Sequence, residues 1–129
     1  MENLLVPVSP GEVLDKITIL EIKLEHMQDP EKLANVRTEL EQLSTYWSNA
    51  VTQDETVCSL RAQLKTVNQA LWVIEDDIRD KERSKSFDEQ FIELARSVYV
   101  TNDRRAQIKK ELNVYLGAQL VEEKSYSAY

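Results

Sequence analysis

Residues 57–78 read VCSLRAQLKTVNQALWVIEDDI, and this stretch decides the fold. Its apolar side chains fall at Val57, Leu60, Leu64, Val67, Leu71, Ile74 and Ile78 without a gap. Steps of three and four residues put them on one stripe of a helix, which turns once every ~3.6 residues. A stripe that long is a packing seam and needs other helices against it.

The chain on either side supplies those helices. Ser9-Pro10-Gly11-Glu12 opens a first helix over 10–28. Serine caps, proline suits the first helical position, and Glu12 can reach back to the cap. Its stripe is Val13, Ile17, Leu20, Leu24 and Met27. Asp29-Pro30-Glu31 starts a second helix over 30–48, striped by Leu33, Val36, Leu40, Leu43 and Trp47. Asn49 to Asp54 leads into the third helix, 54–83. Ser86-Phe87-Asp88-Glu89 reads as a capping box for a fourth, 87–116, with Gly117 suited to close it. Residues 1–9 form an N-terminal arm and 117–129 a polar tail with an apolar start, Leu120-Val121. Short loops make neighbours antiparallel. The expected architecture is one all-α domain over 1–129: an antiparallel bundle of four main helices, the third and fourth forming a long overhanging hairpin.

Composition narrows the function classes. At 42% hydrophobic the chain can bury a sizeable core, and two glycines and three prolines are too few for the turns of a β sandwich. No run of about 18 apolar residues could span a bilayer, so no membrane partner is expected. The start, MENLLVP, lacks the basic residues and long apolar stretch of a signal peptide. Cys58 is the only cysteine, which fits a reducing, cytoplasmic setting. The net charge of −7 argues against nucleic acid. It is uneven: residues 1–50 hold nine acidic and four basic side chains, whereas 83–116 hold five and seven. The basic stretch Arg104, Arg105, Lys109, Lys110 leaves room for a smaller anionic ligand.

The stripe of the fourth helix, Phe87, Phe91, Leu94 and Val98, is interrupted by Thr101 and Arg105 before it resumes at Ile108, Leu112 and Tyr115. The third helix carries a second line beside its apolar one: Asn68, Trp72, Glu75, Arg79, Glu82. Counting outward from the turn near 84–85 puts Asn68 level with Thr101 and Asn102. One reading is a network that fixes the register between the two helices. The other is a ligand pocket floored by Trp72 and lined by Asn68, Glu75, Arg79, Asn102 and Arg105. It would hold an anionic molecule such as a phosphorylated compound or a nucleotide sugar. Charges that neutralise one another favour the first; an unpaired arginine favours the second.

Other chemistries find little footing, and neither cofactor nor metal is expected. Asp76-Asp77-Ile78-Arg79-Asp80 matches the D-D-x-x-D pattern with which helical isoprenoid synthases hold magnesium, but Arg79, Lys81 and Arg83 are interleaved. Glu12-Val13-Leu14-Asp15 has the E-x-x-D spacing of small helical pyrophosphohydrolases, yet no segment supplies their E-E-x-x-E. His26 stands alone near a helix end, and Cys58 beside the stripe should be packed. Catalysis is therefore not the favoured reading.

The overhang suggests a different role. The turn of the first hairpin falls level with about residue 75, leaving roughly two to three helical turns uncovered. That segment carries Ile74, Ile78, Phe87, Phe91 and Leu94, the expected interface of a homodimer. The rival cover is the tail, with Leu120, Val121 and Tyr126, whose residues reach about 40 Å when extended.

Three segments together resemble an uncharacterised bacterial family of small helical domains. They are Val6-Pro7-Val8-Ser9-Pro10-Gly11-Glu12 running into Leu14 to Leu20, Val67 to Arg79 (VNQALWVIEDDIR), and Phe91 to Arg105 with the ending Glu122-Glu123-Lys124-Ser125-Tyr126. The resemblance spans nearly the whole chain. It implies a helical domain with no catalytic residues to carry over. Similar chains occur beside sugar-transfer proteins, which implies an accessory role with glycan-synthesis proteins as partners.

Overall fold

A computed structural model describes all residues, 1–129, as four helices with no strand: α1 (Pro10–His26), α2 (Pro30–Ala50), α3 (Glu55–Arg83) and α4 (Glu89–Tyr115). Each starts on a side-chain cap: Ser9, Asp29, Asp54 and Asp88 accept from backbone N–H groups of the first turn. Proline opens α1 and α2. Asp88, not Ser86, caps α4, because its carboxylate accepts from Phe91 N–H at 3.0 Å. Nor does the Glu12 carboxylate turn back to its cap; it reaches Lys109 on α4 at 2.5 Å.

The helices run up, down, up and down. Opposite positions on α3 and α4 are tied by Tyr115 to Asp54, Arg104 to Gln63, and Asp88 and Gln90 to Lys81. This is the level that counting from the turn near 84–85 gives. α1 runs in the same sense as α3, with Glu21 on Arg61 and Glu25 on Lys65. The α3–α4 pair is the most closely packed, α1 lies against all three others, and α2 approaches only α1.

That central position explains the burial of α1. The sequence stripe Val13, Ile17, Leu20, Leu24, Met27 describes one face, as if α1 had one neighbour. The structure also buries Leu14, Asp15, Thr18 and Ile22 on its other faces. The core joins Leu14 and Ile17 to Trp47, Val57, Leu60, Leu64, Ile108 and Leu112. Cys58 lies outside it, exposed, contrary to the packed position expected from the stripe.

All of this core sits in one half of the molecule. No residue of α3 beyond Asn68 is buried, and none of α4 before Ile108. α1 ends where His26 stacks on Trp72, ring centroids 5.2 Å apart. Beyond that level the α3–α4 hairpin continues alone for about 16 Å, at 1.5 Å per residue. The tail does fold back, but only as far as Tyr99. Leu120, Val121 and Tyr126 remain exposed, so the tail leaves the hairpin tip uncovered.

At the packed end α1 and α4 approach unusually closely. A Cβ at Gly11 would lie 2.9 Å from both Asn113 Oδ1 and the Lys109 carbonyl oxygen. With no side chain there, Gly11 N–H donates to Asn113 Oδ1 at 2.7 Å and satisfies a donor that a helix N-terminus normally leaves free. Gly11→Ala must push α4 outward, since one of the two blocking atoms is backbone. The expected loss is about 1–3 kcal/mol in urea unfolding, the usual range for overpacking. An unchanged midpoint would show that the two helices separate freely.

Candidate functional site

Asp15 is the centre of the polar architecture. It is 4% exposed, on the face of α1 that also carries Gly11 and Thr18. A carboxylate so placed must be paired to stay charged. The Arg105 guanidinium meets it with two N–H groups: Nε donates to Oδ1 at 2.9 Å and Nη2 to Oδ2. Asn68 Nδ2 also donates to Oδ1, at 2.9 Å. Lys109 Nζ lies 3.9 Å from Oδ2 and bridges to Glu12, with Glu122 of the tail at 3.7 Å. One aspartate thus gathers donors from α3 and α4.

The surroundings set its protonation. Burial pushes the Asp15 carboxyl up, but hydrogen bonds from Arg105 and Asn68 and the charges of Arg105 and Lys109 outweigh it. The net shift is downward. The same pairing, against burial, raises the Arg105 pKa, with the charges of Asp15, Glu12 and Glu122 contributing. Thr18 closes the network: it donates to the Asp15 carbonyl at 2.8 Å and accepts from Asn68 at 3.0 Å.

The six residues singled out from sequence, Asn68, Trp72, Glu75, Arg79, Asn102 and Arg105, all line one groove of about 480 Å³. Their partners differ from the expected ones. Asn68 stands at the height of Thr101 and Asn102 but turns its amide to α1, so no amide network joins it to α4. Arg105 is committed to Asp15, and only Nη1 turns to Asn102, at 3.5 Å. Arg79 pairs with Glu75 one turn back on its own helix. Trp72 offers the groove an aromatic surface while stacking on His26. Asp76 and Asp77 are exposed, and Asp80 pairs with Arg83 at 2.7 Å. No three side chains of the metal-ligating types converge.

In the sequence Lys109 stands out only within a basic stretch, Asp15 only in an E-x-x-D match and Gly11 only in a cap; Asn113 does not stand out, and nothing there joins any of them to the six. Their signal is a pair of polar stripes at helical spacing: Gly11, Asp15 and Thr18 on α1, and Asn102, Arg105, Lys109 and Asn113 on α4. Antiparallel packing lays one stripe on the other.

The geometry therefore defines a class: an all-helical bundle locked by a buried ionic node, with a shallow groove beside it and an uncovered hairpin beyond. The chain belongs to a family of unknown function, DUF6165, which matches residues 4–129. No curated protein and no solved structure matches it. No helix is long and apolar enough to cross a membrane.

Asp15→Asn removes the counter-ion of Arg105 and Lys109. Breaking a buried pair costs on the order of 3–5 kcal/mol, reduced to about 2–3 kcal/mol because Arg105 is partly exposed and can rehydrate. Asn68→Ala should cost less, about 1–3 kcal/mol, since the arginine pairing survives. Because the folded pKa of Asp15 lies below 3.8, its contribution is full above that value and is lost as pH falls through the folded pKa. The urea midpoint of the parent chain should therefore fall more steeply below about pH 4 than that of Asp15→Asn. Equal midpoints at neutral pH would mean that the carboxylate is solvated.

Proposed function

We propose that this chain is a non-catalytic interaction module that pairs with a second copy through its hairpin tip. The observation that carries the reading is the split in burial. From Leu71 to Gln107 nothing is buried, although Ile74, Ile78, Phe91 and Leu94 form a continuous apolar seam. These four are half-covered, and Phe87 is 56% exposed with its ring edge against Phe91. A seam only partly covered within one chain favours a second apolar surface against it.

A second copy fits this surface for two reasons. The tip is a two-helix layer, and an identical layer turned by a two-fold axis completes a four-helix bundle. The rim also tolerates its own likeness: Glu75, Asp80, Glu82 and Asp88 are paired with Arg79, Arg83, Lys85 and Lys81, which limits repulsion between tips. The closed node supports a scaffold over an enzyme, because neither Arg79 nor Arg105 is left free for a substrate.

A second reading rests on the groove that gathers the six residues. An anionic small molecule there must displace Glu75 from Arg79. A thermal-shift series of sugar phosphates and nucleotide sugars, with Arg79→Ala as control, tests it.

Sedimentation equilibrium tests the pairing. The expected species at tens of micromolar is a dimer, and Ile78→Asp/Phe91→Asp should convert it to a folded monomer, since both positions lie outside the buried core. A parent chain that is monomeric at that concentration overturns the proposal. A double variant that stays dimeric places the interface elsewhere.

A further inference from the structure

The tail is placed more specifically than a loose end requires. Gly117, at φ 66°, ends α4, and Ala118 N–H bonds back to the Asn113 carbonyl at 2.9 Å, which turns the chain around. The tail then runs back along α4 beside the face that meets α1, where Lys109 is 9% exposed and already held by Glu12. Glu122 reaches Lys109 and Glu123 reaches Lys110, each at 3.7 Å. Farther along, the Tyr129 hydroxyl donates to Asp103 Oδ2 at 2.6 Å and its ring lies on Tyr99, centroids 5.1 Å apart. Two clefts lie along this path. One of about 280 Å³ has Gln107, Lys109, Lys110 and Asn113 on its α4 side. One of about 710 Å³ has Val98, Tyr99 and Asn102 there, facing Tyr126 to Tyr129.

The match is ordered along its length: two acids on two lysines, then a hydroxyl on an acid and a ring on a ring. Yet no tail residue is buried. Exposed ion pairs contribute only about 0–1 kcal/mol each. What holds such a contact is the tether, which gives the tail a local concentration on the order of millimolar. A free segment with the same chemistry and somewhat better contacts can therefore exchange with it. The family match also runs through residue 129, so the tail lies within the family's extent.

We propose that the exposed side of α4 carrying Lys110, Asp103 and Tyr99 is a docking strip for an acidic peptide with aromatic residues at its far end, and that the chain's own tail fills this strip in cis. A partner segment of that chemistry gains the strip by displacing the tail. This stands apart from pairing at the hairpin tip, since the strip lies on α4 from Tyr99 to Lys110.

Two measurements on the full chain test it. A spin label at Ala128→Cys in a Cys58→Ser background should broaden the amide signals of Tyr99, Asn102 and Asp103. Lys110→Glu and Asp103→Asn should each relieve the broadening, as should salt raised to about 0.5 M. All four positions are exposed, so the fold is expected to survive. Second, a fluorescein-labelled peptide of residues 120–129 should bind the opened chain, Glu122→Lys/Glu123→Lys/Tyr129→Ala. The expected affinity is at least about five-fold above that for the parent chain, whose tail competes. Adding Lys110→Glu to the opened chain should weaken that binding. Absence of broadening overturns the cis contact. Absence of peptide binding, or equal binding to opened and parent chains, overturns the strip.

Discussion

A buried carboxylate that must find cations is the constraint on which this structure depends. Asp15 sits among apolar side chains of a helix packed on three sides. Leaving it unpaired would cost several kcal/mol, so α4 must present Arg105 and Lys109 at its level, and α3 must present Asn68. Those three demands fix the heights and rotations of α3 and α4 relative to α1. A slip of one turn between α1 and α4 would carry Asp15 away from the guanidinium and drive the backbone of α4 past the one place, at Gly11, where it can approach. Apolar packing alone is more forgiving, since leucine and isoleucine stripes interdigitate in several registers. The node contributes uniqueness as much as stability.

The node also divides the molecule. On one side lie the core residues from Leu14 to Leu112, and on the other the hairpin tip, where nothing is buried. Local stability follows buried apolar contact, so the tip is expected to open at lower free energy than the packed end. The two tip helices support each other through Ile74, Ile78, Phe91 and Leu94, but a two-helix layer leaves each of these half-covered. The arrangement is that of a frame with an unfinished edge. The edge is not a folding defect, because the ion pairs of its rim are made within the chain and its turn is closed by hydrogen bonds from Ser84 and Ser86 to Asp80 and Lys81.

How far the sequence could be read depends on which coordinate is asked for. Height along the bundle is legible: loops are short, so counting from the turn near 84–85 puts Asn68 at the height of Thr101 and Asn102, and the structure agrees. Rotation about the helix axis is not. Asn68 was assigned to α4 because α4 is its hairpin partner, whereas the amide turns to α1, a neighbour that comes from the up-down topology. Arg105 is legible as a break in an apolar stripe, but its partner is not: Asp15 draws notice only as the second acid of an E-x-x-D spacing, and nothing in that spacing shows that it is buried against α4. Burial on several faces is a property of the neighbours, and a single-stripe reading of α1 cannot contain it. Gly11 was read as part of a cap, although its stronger reason is the approach of α4.

The same distinction separates the two surfaces left open. The hairpin tip is apolar, so the proposed pairing there would be held by area more than by the order of groups. The face of α4 under the tail is polar, so the proposed docking there would require groups in a given order. In this small domain, whose central helix is locked by charge, neither surface contributes to the core cluster: no tail residue belongs to it, and the seam at the tip begins beyond Asn68. Both proposed surfaces lie outside the core, and a frame locked at one buried ion pair leaves them to either side of its packed half.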